Sequence, residues 1–382
     1  MTSRWDALEV LEHIFSFLTP GCVVDLLACE LVCHRWRHVL LRSRDAWKRV
    51  QFVEHTFLTR DDDGGGDDGD DSHDEIAKRS RKASTLTVRT LRALLARHAG
   101  KVQRLLVGAP ITLAGDDWLD AMRLAAAELR DLTLAAPAVL PAKAQNSLLL
   151  LTRLERVNVS RLHTTNAIIK NFLNTRTAPH LLALNLSGIS GIFASGVSMA
   201  AIRMMTALES LHFDSSQLTL VEICIPLVST AYSLKHFSAR NNLELDVLQY
   251  MFECTCTRLE TLELSNTHLD NTALLSMLAA ARTSLRVLDV SQTHVTSTIW
   301  AVCPVLPRLE TLVIAKTRID EPDWCESLLF RAPALKAIDV SFVAGVSDSD
   351  IALLEGRAER IVADGCRGVS RSKRTALRAQ ST

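Results

Sequence analysis

The sequence predicts an α/β solenoid, with short parallel strands along one side and helices along the other. Three observations predict it. First, a strand motif, apolar-x-x-apolar-x-apolar, recurs from Val102, Leu129, Leu154, Leu181, Leu208, Leu234, Leu259, Leu285, Leu309, Leu335 and Ala358, with successive starts 23 to 27 residues apart. Second, strand and helix patterns alternate within one period, most clearly between Leu259 and Ser291. LETLELS opens that stretch and LRVLDVS closes it, each with apolar residues on alternate positions. Between them, Leu274, Leu275, Met277, Leu278 and Ala281 recur at helical spacing, and Asp270 stands where an N-cap belongs. Third, one strand and one helix cannot bury their own apolar faces, so the copies must stack.

By its period the array resembles the leucine-rich repeat. Its unit length is similar to the helix-bearing kind found in ribonuclease inhibitor and in F-box-associated repeats. The resemblance covers roughly Leu86 to Cys366, and sets a repeat domain of about eleven units over residues 86–368. It implies a curved parallel sheet inside and helices outside. Strand side chains alternate, so Leu259, Leu262 and Leu264 face the core while Thr261, Glu263 and Ser265 face the concave side. That side is the usual binding face of a solenoid. It carries the candidate substrate-binding residues Arg156, Asn158, Asn185, His212, Asp214, Arg240, Glu263, Asp289 and Asp339. Each of these polar residues also fits a plain solvated position. Asp214, Glu263, Asp289 and Asp339 make the later repeats acidic, which predicts a partner with a basic segment.

Residues 5–50 read as three short helices. Asp6 and Glu9 have capping-box spacing, and Leu8, Leu11, Phe15 and Leu18 form one apolar side with Ile14 beside them. Pro20 and Gly21 end that helix. Leu26, Leu27, Leu31, Val32 and Trp36 recur through a second, and Leu40, Leu41 and Trp47 belong to a third. EVLEHIFSFL, then DLLACELVCHRWR, then AW, is similar to the F-box motif, matching at Ile14, Phe15, Leu18, Asp25, Leu26, Val32, Cys33, Trp36 and Trp47. F-boxes usually open with Leu-Pro. Here Asp6 and Ala7 hold those places, with Trp5 beside them. The resemblance implies a module over residues 1–58 that docks on the Skp-type adaptor of a cullin ubiquitin ligase. It would do so through Leu8, Leu11, Ile14, Phe15, Leu18, Leu26, Val32, Cys33, Trp36 and Trp47. The competing reading is a plain three-helix cap over the first repeat.

Residues 59–85 form a linker. DDDGGGDDGDDSHDE, residues 61–75, is too rich in acid and glycine to build a core and is expected to be disordered. KRSRK follows it, readable either as a localisation signal or as a solvated loop that balances the acids. Val88, Leu91, Leu94, Leu95 and His98 then make an amphipathic helix ending at Gly100, suited to cover the open end of the stack. The basic tail, residues 369–382, is expected to fray, with capping of the far end or a reach into the concave face both open.

Charge balances at 43 basic and 43 acidic residues, which exerts no global pull toward nucleic acid or an anionic membrane. No apolar run is long enough to span a bilayer, and acids interrupt the N-terminal apolar stretch, so no signal peptide is expected. The nine cysteines are unpaired in spacing: Cys254 and Cys256 sit too close for the usual zinc pattern. They read as reduced, buried thiols of a cytoplasmic or nuclear protein. No phosphate loop, metal-ligand motif or nucleophile turn is present, so neither catalysis nor a cofactor is expected. The resemblance implies a substrate-recognition subunit of a Skp–cullin–F-box ubiquitin ligase. Its partners would be the adaptor, the cullin scaffold and an unnamed protein substrate. The alternative is a repeat scaffold or inhibitor with no degradation role.

Overall fold

The computed structural model describes residues 49–52, 88–98, 100–107, 116–134, 149–160, 173–188, 199–216, 226, 230, 232–242, 256–319 and 321–381. The helices expected over residues 5–48 and the linker lie outside the described residues. The chain divides into two compact units, Met1–Phe172 and Leu173–Thr382.

The first unit holds strands β1 (Arg49–Phe52), β2 (Arg104–Val107), β3 (Asp131–Leu134) and β4 (Arg156–Asn158), parallel and paired in chain order. Helices α1 (Val88–Arg97) and α2 (Asp116–Ala125) connect parts of it, and Arg92 bridges to Asp120 between them at 3.2 Å. Strand β1 is not among the eleven motifs. It pairs with β2 over four residues, Arg49 opposite Arg104 through Phe52 opposite Val107. Its sequence, RVQF, carries only two apolar residues and stands about two periods before its partner, so the repeat count passes over it. Helix α1 buries Leu95 and His98 and closes on Gly100, whose φ of +77° suits a glycine C-cap. Burial pushes the His98 imidazole down to about 4, helped by Lys101 and Arg97, so it packs as a neutral ring at pH 7.

The second unit runs β5 (Ala183–Asn185), α3 (Met199–Arg203), β6 (Ser210–His212), β7 (His236–Ser238), β8 (Thr261–Glu263), α4 (Asn271–Ala281), β9 (Val287–Asp289), α5 (Thr298–Val302), β10 (Thr311–Val313), α6 (Trp324–Arg331), β11 (Ala337–Asp339), α7 (Asp348–Glu355), β12 (Arg360–Val362) and α8 (Arg371–Ser381). Its strands are parallel and follow chain order, the arrangement of a leucine-rich-repeat solenoid. Each strand buries its middle residue, as at Leu211, Leu262 and Leu312, and the sixth motif residue, as at Phe213, Leu264 and Ile314. Helix α4 buries Leu274, Met277, Leu278 and Ala281 on its core face. It starts where the sequence says: the Asp270 carboxylate accepts from the Ala273 N–H at 2.8 Å.

Two regularities hold successive repeats together. The eighth motif residue (Gly188, Ser215, Asn241, Asn266, Gln292, Lys316, Phe342 and Gly365) is always left-handed, with φ between 51° and 75°. That turn points its N–H at the carbonyl of the seventh residue in the next repeat, as from Asn266 to Ser291 and Lys316 to Ser341, so the ladder continues past the strand. The ninth residue returns a side-chain bond to the carbonyl three before it: Thr267 to Leu264 at 2.7 Å, Thr293 to Val290 and Thr317 to Ile314 at 2.6 Å.

The tail does not fray. Residues 371–381 are the helix α8, which packs on the end of the stack with Leu377 buried. Arg374 donates to the Cys366 carbonyl, Arg378 bonds Asp364 at 2.7 Å and Lys373 bonds Glu355 at 2.6 Å. Of the two destinations open to it, the tail takes the capping one, because Leu377 covers apolar surface that a last repeat leaves bare.

Candidate protein-interaction face

In the second unit, the third, fifth and seventh residues of each motif leave the core and form the open face of the sheet. The fifth-position column is in strict register: Asn185 opposite His212, then Ser238, Glu263, Asp289, Val313, Asp339 and Val362. Asp214 and Arg240 stand in the seventh-position column beside it. In the first unit, Arg156 and Asn158 belong to β4, with Asn158 at the end of that strand. The candidate adaptor residues Leu8, Leu11, Ile14, Phe15, Leu18, Leu26, Val32, Cys33, Trp36 and Trp47 lie outside the described residues.

Most of this polar column is already bonded. The Asn185 side chain accepts from the Ser187 N–H, the Asp289 carboxylate from Ser291 N–H and Oγ, and the Asp339 carboxylate from the Ser341 N–H, at 2.7 to 3.0 Å. Asn158 closes the same two-residue loop on Ser160 at 3.0 Å. These are turn-closing bonds that Asn and Asp make with their own backbone. Asp214 accepts from Ser238 Oγ at 2.5 Å and from the Arg240 N–H at 2.9 Å. Arg240 Nη2 reaches Glu263 at 2.6 Å and Asp289 at 3.7 Å. Asp289 is only 9% exposed and Ser238 is buried. The acidic half of the face therefore offers less free negative charge than its composition suggests, since Arg240 sits among its carboxylates and the turns use others. His212 bonds Ser210 Oγ at 2.8 Å, and burial holds its imidazole below the usual range against the opposing pull of Asp214 and Glu263.

At the N-terminal edge of the strands, the second motif residue alternates in sign: Glu209, Lys235, Glu260, Arg286, Glu310, Lys336, Glu359. Lys235 meets Glu209 at 2.8 Å and Arg286 meets Glu310 at 2.9 Å, which holds the Glu310 carboxyl below its usual range. Exposed pairs of this kind contribute little individually.

Among the described residues no group of three or more His, Cys, Asp or Glu is placed to hold a metal. Cys256, Cys303, Cys325 and Cys366 are buried, and burial pushes the first three thiols up to about 12, 11 and 12. Thiols so far from ionising are poor nucleophiles.

Comparison with known proteins places two features on this frame. Residues 8–52 match the F-box-like family. The match ends on Phe52, the last residue of β1, so the module and the first strand of the sheet are one continuous segment. A chain of the yeast Rad7 and Elc1 complex is similar in fold, with a TM-score of 0.50 at 18% identity over 75% of this chain and 68% of that one. An internalin from Listeria monocytogenes aligns with a TM-score of 0.48 at 16% identity, over 77% of this chain and 92% of that one. No curated protein matches the chain in sequence. No helix among the described residues is long and apolar enough to cross a membrane.

Proposed function

We propose that this chain is a substrate-recognition subunit of a Skp–cullin–F-box ubiquitin ligase. The observation that carries the reading is the F-box-like match at residues 8–52 on the same chain as a leucine-rich-repeat array. On this reading the N-terminal module binds a Skp-type adaptor, which joins it to the cullin scaffold, and the repeats hold a protein substrate. The chain contributes position rather than chemistry. Holding substrate lysines near the ubiquitin-charged subunit raises their effective concentration, and that accounts for rate without a catalytic residue here.

The test is adaptor capture by the full chain. Buried aromatic anchors dominate interfaces of this size, and losing one costs about 2 kcal/mol or more. Trp36→Ala is expected to weaken adaptor binding at least about tenfold while the melting of the repeats stays put. Unchanged affinity in a folded variant rejects this docking mode. Adaptor capture by the full chain, with no change in ubiquitinated partners when residues 1–48 are deleted so that β1 is kept, favours a scaffold without a degradation role.

A further inference from the structure

Phe342 is the one aromatic residue of the eighth-position column among the described residues. Glycine and asparagine tolerate its left-handed backbone best, and a bulky side chain there is strained. Phe342 adopts φ of 61° and the residue is 58% exposed, so neither its backbone nor its burial accounts for the choice. The ring is nevertheless held in place. A Cβ at Gly365 would come within 2.3 Å of it, so only glycine leaves room below, and Lys316 Nζ lies 5.5 Å from its centroid.

Basic and imidazole side chains gather beside it. The eighth-position column continues from Phe342 through Lys316 and Gln292, and the tenth-position column beside it holds His268, His294, Arg318 and Arg367. His268 and His294 stack with centroids 5.4 Å apart and planes 9° from parallel. Neither column contains a carboxylate among the described residues, and neither Lys316 nor Arg318 joins a salt bridge there. Of the acids nearby, Asp270 caps α4 and Asp364 accepts from Arg378 at 2.7 Å, while Glu321 and Asp323 follow Arg318 in the chain.

We propose that this ridge, Phe342 with Lys316, Arg318 and the stacked histidines, docks an extended acidic segment of a partner protein that carries an apolar side chain. Carboxylates would meet Lys316 and Arg318, and the apolar group would cover the open part of the Phe342 ring. The inference names the substrate-side surface of the reading above and rests on the repeats being the receptor. It also differs from the basic partner that the acidic open face suggests, because the open-face acids are largely bonded internally while the ridge cations are not.

The probe is a fluorescein-labelled glutamate-rich peptide with one central phenylalanine, read by anisotropy on the full chain. Controls are the same peptide with lysine for glutamate and with serine for phenylalanine. The glutamate–phenylalanine peptide is expected to bind, and both controls to bind at least about tenfold more weakly. Phe342→Asn installs the residue that Asn241 and Asn266 already place in this turn. It should lose at least about tenfold in affinity while its melting temperature holds or rises, since the backbone strain is relieved. Lys316→Glu with Arg318→Glu should lose at least as much. A wild-type chain that ignores the peptide, prefers the lysine version, or is indifferent to these variants overturns the proposal. So does a lowered melting temperature in Phe342→Asn, which assigns the ring to the fold. Adaptor capture by the same proteins separates the two readings. Capture intact with no peptide binding rejects only the ridge, and peptide binding without capture rejects only the ligase role.

Discussion

Asp289 and Glu263 stand side by side on β9 and β8, at the same strand position, yet they hold different things. Asp289 closes its own turn with two bonds to Ser291 and is nearly buried; Glu263 reaches Arg240 from a more open site. Removing Asp289 leaves a buried N–H and hydroxyl without their acceptor, at about 1–3 kcal/mol. Neutralising Glu263 breaks one partly exposed pair, worth about 1 kcal/mol or less. Asp289→Ala should therefore lower the melting temperature clearly and Glu263→Gln barely. Equal melting of the two variants would show that the turn bonds of the column are dispensable. The contrast also decides how a basic partner is tested. Reversing Asp289 would damage the fold, so a change in association rate and its salt dependence is read from Glu263→Gln.

At the scale of elements, the strands and helix α4 were legible because their signals are local. Leu259, Leu262 and Leu264 alternate, the apolar residues of α4 follow a 3.6 period, and Asp270 is a cap by type and place. The left-handed turn was half legible. Gly188, Gly365, Asn241 and Asn266 announce it, but Gln292, Lys316 and Phe342 adopt it only because the next repeat accepts their N–H, a tertiary bond that composition does not display. Helix α8 was misread for a related reason. Its many basic residues suggest a solvated tail, and the single buried Leu377 with the arginine and lysine bonds to Cys366, Asp364 and Glu355 decides otherwise. Deleting residues 371–382 should expose Val369 and Cys366 and lower the melting temperature by several degrees, at about 2–4 °C per kcal/mol for a domain of this size. Far-ultraviolet circular dichroism checks it; a truncated chain that melts with the full one would return the tail to a frayed segment.

For the whole molecule, the segment between β1 and α1 joins two paired parts of one sheet unit. Strand β1 belongs by pairing to the repeat sheet and by sequence match to the F-box-like module, so the linker interrupts the array rather than separating it from the module. What must survive any change there is the four-residue pairing of β1 with β2. Deleting residues 61–75 leaves residues 53–60 and 76–87 to join Phe52 to Val88, a length that can span on the order of 60 Å when extended. Closure entropy changes slowly with loop length, by about 0.6 kcal/mol for each doubling, and a segment built of aspartate and glycine brings little apolar surface to bury. The deletion should therefore shift the melting temperature by no more than about 1–2 °C and leave adaptor capture at its wild-type level. A drop of many degrees, with β1–β2 amides losing their protection from hydrogen exchange, would mean that the acidic segment packs against the sheet and helps to hold its first strand.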